Sequence, residues 1–97
     1  MAMMYKRDVQ YSTQYRRDYK IAKKQGKDIS LLREVITLLA NDELMPEKYY
    51  DHALQGNWKG FRECHITPEW LLVYKKTDND ELILILTRLA SHSELDF

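Results

Sequence analysis

The segment NWKGFRECHITPEWLLVYKKTDNDELILILTRL, residues 57–89, reads as three consecutive β-strands, and that reading decides the fold. The first strand, 57–66, ends at the breaker Thr67-Pro68, and the second, 70–77, runs into the turn signal Asp78-Asn79-Asp80. The third, 81–89, is nearly all apolar and partly β-branched, which predicts a central strand covered on at least one face.

Upstream lies a loop over 41–56 that holds Pro46, Tyr49, Tyr50, Asp51 and His52; loops of that length are more often functional than idle. Before it, Leu32, Val35, Ile36 and Leu39 recur at helical spacing behind Asp28, a residue suited to cap a helix reaching Ala40. An earlier helix starts at Ser12 or Thr13 and runs to Gln25, with Tyr15, Tyr19 and Ala22 on one face and Gly26 as its stop signal. Tyr5, Val9 and Tyr11 then suggest a short edge strand within 5–11. The order predicts an α+β fold, one domain over residues 1–97. In it an N-terminal strand and two helices pack on a mainly antiparallel twisted sheet of about four strands.

A chain of 97 residues can build a sheet with a helical layer but no deep enclosed cavity, so a functional site is expected as an open groove. Its single cysteine, Cys64, excludes an internal disulfide and a zinc site of several thiolates, which fits the reducing cytoplasm. Neither a membrane span nor a cleavable leader is visible. The zero formal net charge conceals a division: residues 1–27 hold eight Lys/Arg against two acids, and residues 28–97 hold seven against thirteen. The basic face Arg16, Lys20, Lys23 and Lys24 on the first helix is therefore a candidate nucleic-acid surface.

All three histidines, His52, His65 and His92, lie in the second half, and each has a carboxylate close by: Asp51, Glu63 and Glu94. Imidazole both takes and gives a proton near neutral pH, so the clustering directs attention to acid/base chemistry. Strand parity places Lys59, Phe61, Glu63 and His65 on one face of 57–66, a set able to bind phosphate, stack a base and move a proton. Cys64 points the other way, toward the core. Arg88, four residues before His92, offers a fork of donors for a phosphate oxygen, with an ion pair to Glu63 or Glu94 as its structural alternative. No His-x-His or His-x-x-x-His spacing favours a metal, and no glycine-rich phosphate loop precedes a helix, so no cofactor is expected.

The run from Asp51 to His65, DHALQGNWKGFRECH, followed by Leu71-Leu72-Val73-Tyr74-Lys75 and by Arg88 to Leu95, RLASHSEL, resembles the YafQ branch of the RelE-like toxins. The pattern extends over most of the chain, since that family also begins with a strand and two helices. The resemblance implies a RelE-like fold and the toxin of a type II toxin–antitoxin module: a ribonuclease that cuts mRNA, typically on the ribosome, and is neutralised by a DinJ/RelB-like antitoxin. It implies that His52, His65 and His92 are catalytic or position substrate, that Glu63 and Glu69 support them, that Arg88 contacts phosphate, and that Phe97 stacks on a base. Relatives often carry aspartate where Glu63 and Glu69 stand, and their C-terminal aromatic usually follows the last histidine by four residues rather than five. The alternative is a non-catalytic use of the same scaffold, as a ParE-like gyrase inhibitor or an RNA-binding module.

Overall fold

The computed structural model describes residues 5–79 and 81–95, so Phe97 and the Asp80 of the expected turn lie outside the described residues. In chain order the elements are β1 (Asp8–Tyr11), α1 (Thr13–Lys24), α2 (Ile29–Ala40), β2 (His52–Ala53), β3 (Arg62–Thr67), β4 (Trp70–Thr77), β5 (Ile83–Ala90) and α3 (His92–Leu95). They form one sheet of order β1-β5-β4-β3-β2, antiparallel except where β1 runs parallel to β5. The architecture is the expected α+β, and the long apolar strand β5 is interior.

Both long helices begin where the sequence supplies a cap. The Ser12 hydroxyl accepts from the Tyr15 amide at 2.9 Å and the Asp28 carboxylate from the Ser30 amide at 3.0 Å. Gly26, at φ 76°, turns the chain between them. Their apolar stripes, Tyr15 and Ala22 on α1 and Leu32, Val35 and Leu39 on α2, bury against Cys64, Ile66, Leu72, Tyr74, Leu84 and Leu86 on one sheet face. The opposite face carries a smaller core of Leu71, Val73, Ala90 and Leu95, flanked by Leu54, Trp58 and Phe61. β4 is thus covered on both sides, and Glu63 and His65 take the face away from the long helices, because they pair with Val73 and Leu71.

Two departures from the sequence reading bear on the site. The strand expected over 57–66 spans Arg62–Thr67, and a 3₁₀ turn, Gly56–Trp58, occupies its expected start. Gly56 and Gly60 adopt φ of 64° and 96°, left-handed values that break the strand alternation. Lys59 is consequently exposed in a turn rather than aligned with Glu63, while Phe61 packs edge-to-face on Trp58 under the Lys75 ammonium. The 41–56 loop, in turn, contains a 3₁₀ turn, Glu47–Tyr49, and the two-residue strand β2, which makes five strands among the described residues where about four were expected.

α1 also completes the sheet edge. β1 stops pairing at Leu86, which would leave the end of β5 without backbone partners on the side away from β4. The Ser12 hydroxyl donates to the Thr87 carbonyl at 2.7 Å, and the Asp18 carboxylate accepts from the Leu89 amide at 2.9 Å. Side chains of the helix thereby replace the missing strand.

Candidate active site

Three separate elements deliver the histidines to the helix-free face. β2 pairs antiparallel with β3 so that His52 stands opposite Glu63, and His65 follows two residues along β3 on the same face. At the end of β5 the chain turns into α3, whose first residue is His92. The rings of His65 and His92 meet edge-to-face at 5.3 Å between centroids, and those of His52 and His65 lie 6.2 Å apart. The sequence reading of these three histidines as one group is therefore matched by their arrangement in space.

Glu63 is the hub. Its side chain is only 3% exposed, and its Oε1 lies 3.4 Å from His52 Nε2 and 3.5 Å from His65 Nε2. Among the described residues its other oxygen has no hydrogen-bond partner although it is buried, an arrangement that a stable core avoids and a functional site tolerates. His52 has a defined orientation: Nδ1 donates to the Tyr50 carbonyl at 2.8 Å, because a carbonyl can only accept, and Nε2 is the atom turned to Glu63.

The two other acids noted beside histidines serve as framework. Asp51 accepts from Arg62 Nε and Nη2 at 3.2 and 2.9 Å and from the buried Tyr74 hydroxyl at 2.5 Å, which clamps the chain on either side of itself. Burial, and then the Asp51 carboxylate, push the Tyr74 phenol pKa well up; the same carboxylate raises that of Arg62. Glu94 accepts from the Ser91 amide and hydroxyl at 3.1 and 2.8 Å, a capping box that starts α3 and sets His92 at its first turn. Those bonds to Ser91 hold the Glu94 carboxyl below its ordinary value. Ser91-x-x-Glu94 was the available signal for this role.

Arg88 does not join the cluster through Glu63 or Glu94. Among the described residues its ion-pair partner is Asp18 on α1, with Nε 2.8 Å from Oδ2. Its backbone nevertheless falls in the cross-strand row that runs His52, Glu63, Val73, Arg88. Glu69 is exposed in the turn between β3 and β4, at the end of the sheet where β5 delivers His92. Cys64 is fully buried in the helix-side core, and burial drives its thiol pKa far up, so it is no nucleophile.

Lys20, Lys23 and Lys24 are exposed along α1, as the sequence suggests. Lys20 and Lys23 border a groove of about 670 Å³ between α1 and α2, whose floor includes Tyr5, Tyr15 and Tyr19. That groove shares no lining residue with the imidazole cluster.

Sequence spacing gave no metal motif, yet the β2–β3 pairing assembles a donor set. His52, Glu63 and His65 offer ligand atoms within 4.8 Å of one another, a nitrogen and oxygen combination suited to zinc or copper. Among the described residues no helix is long and apolar enough to cross a membrane.

Residues 7–96 match the family described as the bacterial toxin of type II toxin–antitoxin system, YafQ. The mRNA interferase toxin YafQ of Escherichia coli K12 is 45% identical over 93 residues, which is 95% of this chain and 98% of that protein. The crystal structure of the E. coli DinJ–YafQ toxin–antitoxin complex contains a chain of TM-score 0.85 and 43% identity, matched over 95% of this chain and 99% of that one. A metal-bound toxin from Helicobacter pylori has the same TM-score, identity and coverage.

Proposed function

Because this chain belongs to the YafQ family of bacterial type II toxin–antitoxin toxins, we propose that its imidazole cluster is the active site of an endoribonuclease that cuts mRNA, with the ribosome as its platform in the cytoplasm. Its partner in the module is an antitoxin of the DinJ kind, as in the related complex. The observation that carries the reading is the convergence of three imidazoles from three elements: His52 and His65 share one buried carboxylate, and His92 stands ring to ring with His65. That convergence also separates it from a gyrase-poisoning or merely RNA-binding use of the scaffold, neither of which needs clustered imidazoles.

RNA carries its own nucleophile, so the reaction can run without a metal. One imidazole takes the proton of the 2′-hydroxyl, whose oxygen attacks phosphorus. The P–O5′ bond breaks, and a second imidazole gives its proton to the departing 5′-oxygen. The products are a 2′,3′-cyclic phosphate and a 5′-hydroxyl. His65 and His92 form the acid/base pair in this scheme, since their rings touch. His52 assists and positions, and Glu63 orients both of the rings it faces. Arg88, anchored by Asp18, supplies positive charge for the non-bridging oxygens. Lys59, Phe61, Glu69 and Phe97 are assigned to the substrate around this centre, and Lys20, Lys23 and Lys24 to the backbone of the larger RNA.

The test is to incubate translating ribosomes with the protein, either untreated or stripped of metal with EDTA and desalted beforehand, and map new RNA 5′ ends. New ends in both conditions are expected. No new ends in either would overturn the nuclease reading, and ends abolished by EDTA would overturn the metal-free mechanism.

A further inference from the structure

The geometry points to Tyr50 as a base-stacking platform that holds one unstacked nucleotide of single-stranded RNA beside the histidines, an inference that rests on the nuclease reading. Tyr50 stands at the rim of the cluster, with its ring 4.8 Å from that of His52 and 5.3 Å from that of His65. It is nonetheless 64% exposed. A tyrosine that served only to buttress the two imidazoles would bury its ring against them. This one leaves most of its surface to solvent.

In the folded protein the segment that presents the ring is fixed by local contacts. Tyr50 closes the Glu47–Tyr49 turn by donating its amide to the Glu47 carbonyl at 2.9 Å, with φ 46° and ψ 49°, a left-handed conformation that few non-glycine residues adopt. On one side Tyr49 is buried, on the other Asp51 is clamped by Arg62 and Tyr74, and the Tyr50 carbonyl itself receives the His52 Nδ1 proton. The backbone thus sets the ring and the neighbouring imidazole as one unit. Unusual backbone geometry held by its surroundings at a site is where function tends to lie.

The chemistry supplies a use for such a surface. Attack of a 2′-oxygen in line with the departing 5′-oxygen is incompatible with regular stacked RNA, so the nucleotide at the scissile bond must be splayed from its neighbour. An unstacked base loses its stacking partner and regains one on an aromatic side chain, which accepts any base because each has a π-face. Tyr50 is placed to take that base while its 2′-hydroxyl meets the imidazoles.

The experiment measures mRNA cleavage on translating ribosomes as a function of toxin concentration and pH, for wild type, Tyr50→Phe and Tyr50→Asn. Asparagine removes the ring yet tolerates the left-handed backbone. Tyr50→Phe should behave as wild type. Tyr50→Asn should raise the half-saturating concentration by about five- to a hundredfold, the loss expected of one base–aromatic stack, with the shape of the pH profile retained. An unchanged half-saturation in Tyr50→Asn, an equal loss in Tyr50→Phe, or an altered pH profile would overturn the platform while leaving the nuclease intact. A wild-type protein that generates no ends would remove the nuclease reading first, and the platform with it.

Discussion

His52 and Glu63 face each other across the β2–β3 ladder, with 3.4 Å between Nε2 and Oε1. One partner sits on an edge strand of two residues and the other on the neighbouring strand of the same sheet, so a single backbone pairing creates the contact. The same pairing brings His65 into reach of the same oxygen.

Replacing His92 by alanine should lower cleavage by about 10²- to 10⁴-fold, the usual worth of one general acid or base, while leaving the fold intact. His92 begins the one-turn α3 and Leu95, not His92, fills the core there. Growth arrest on expression, with circular dichroism as the control, measures both. Full toxicity of a folded His92→Ala protein would take this residue out of the mechanism.

Asp18→Ala should destabilise the protein by about 3 kcal/mol, because it strands the Arg88 guanidinium and the Leu89 amide together. Asp18→Asn, which keeps an acceptor for the amide and loses only the charge, should cost less. Urea denaturation distinguishes the two, and equal midpoints for wild type and Asp18→Ala would show that the edge of β5 needs no such cover.

Acid stability should depend on Asp42. Hydrogen bonding to Arg7, followed by that to Lys76, holds its carboxyl down to about 2 from an ordinary 3.8. A folded-state value below the unfolded one means that the contribution is present in full above about pH 4 and is lost as pH falls toward 2. In Asp42→Asn the loss of stability over that interval should shrink; a pH dependence identical to wild type would contradict the assignment.

Zinc should inhibit rather than activate. His52, Glu63 and His65 can close on one ion, and an imidazole whose lone pair is donated to a metal no longer carries a proton. Cleavage should fall on titration with zinc, recover with EDTA, and resist zinc better in Glu63→Gln, compared at equal residual activity. Undiminished cleavage at saturating zinc would exclude the site.

Charge reversal at Lys20, Lys23 and Lys24 should weaken ribosome association and flatten its salt dependence, since each phosphate contact releases counterions. These lysines are exposed and far in sequence from the histidines, so cleavage of bound mRNA should be spared. Identical binding across a salt series would return the helix face to plain solvation.

The elements with a clear period are legible in the sequence. The helical stripe of Leu32, Val35 and Leu39 and the apolar run of β5 declared themselves, and strand parity correctly put Glu63 with His65 and Cys64 opposite. Parity failed at Lys59 because it assumes an unbroken strand, and two glycines at positive φ interrupt this one. The rest depended on contacts distant in the chain. Arg88 meets Asp18 across 70 residues, and Asp51 meets Tyr74 across 23, so no local pattern reports either pair. β2 escaped for the same reason: two residues have no period of their own and become a strand only through β3.

That shortness has a thermal consequence. A strand held at the margin of the sheet by a two-residue ladder and the Asp51 clamp can detach while the interior pairs, β3 with β4 and β4 with β5, remain closed. His52 and Tyr50 would leave together, and the remaining protein would still be folded by any global probe. Catalysis therefore has its own melting point, below that of the protein that houses it.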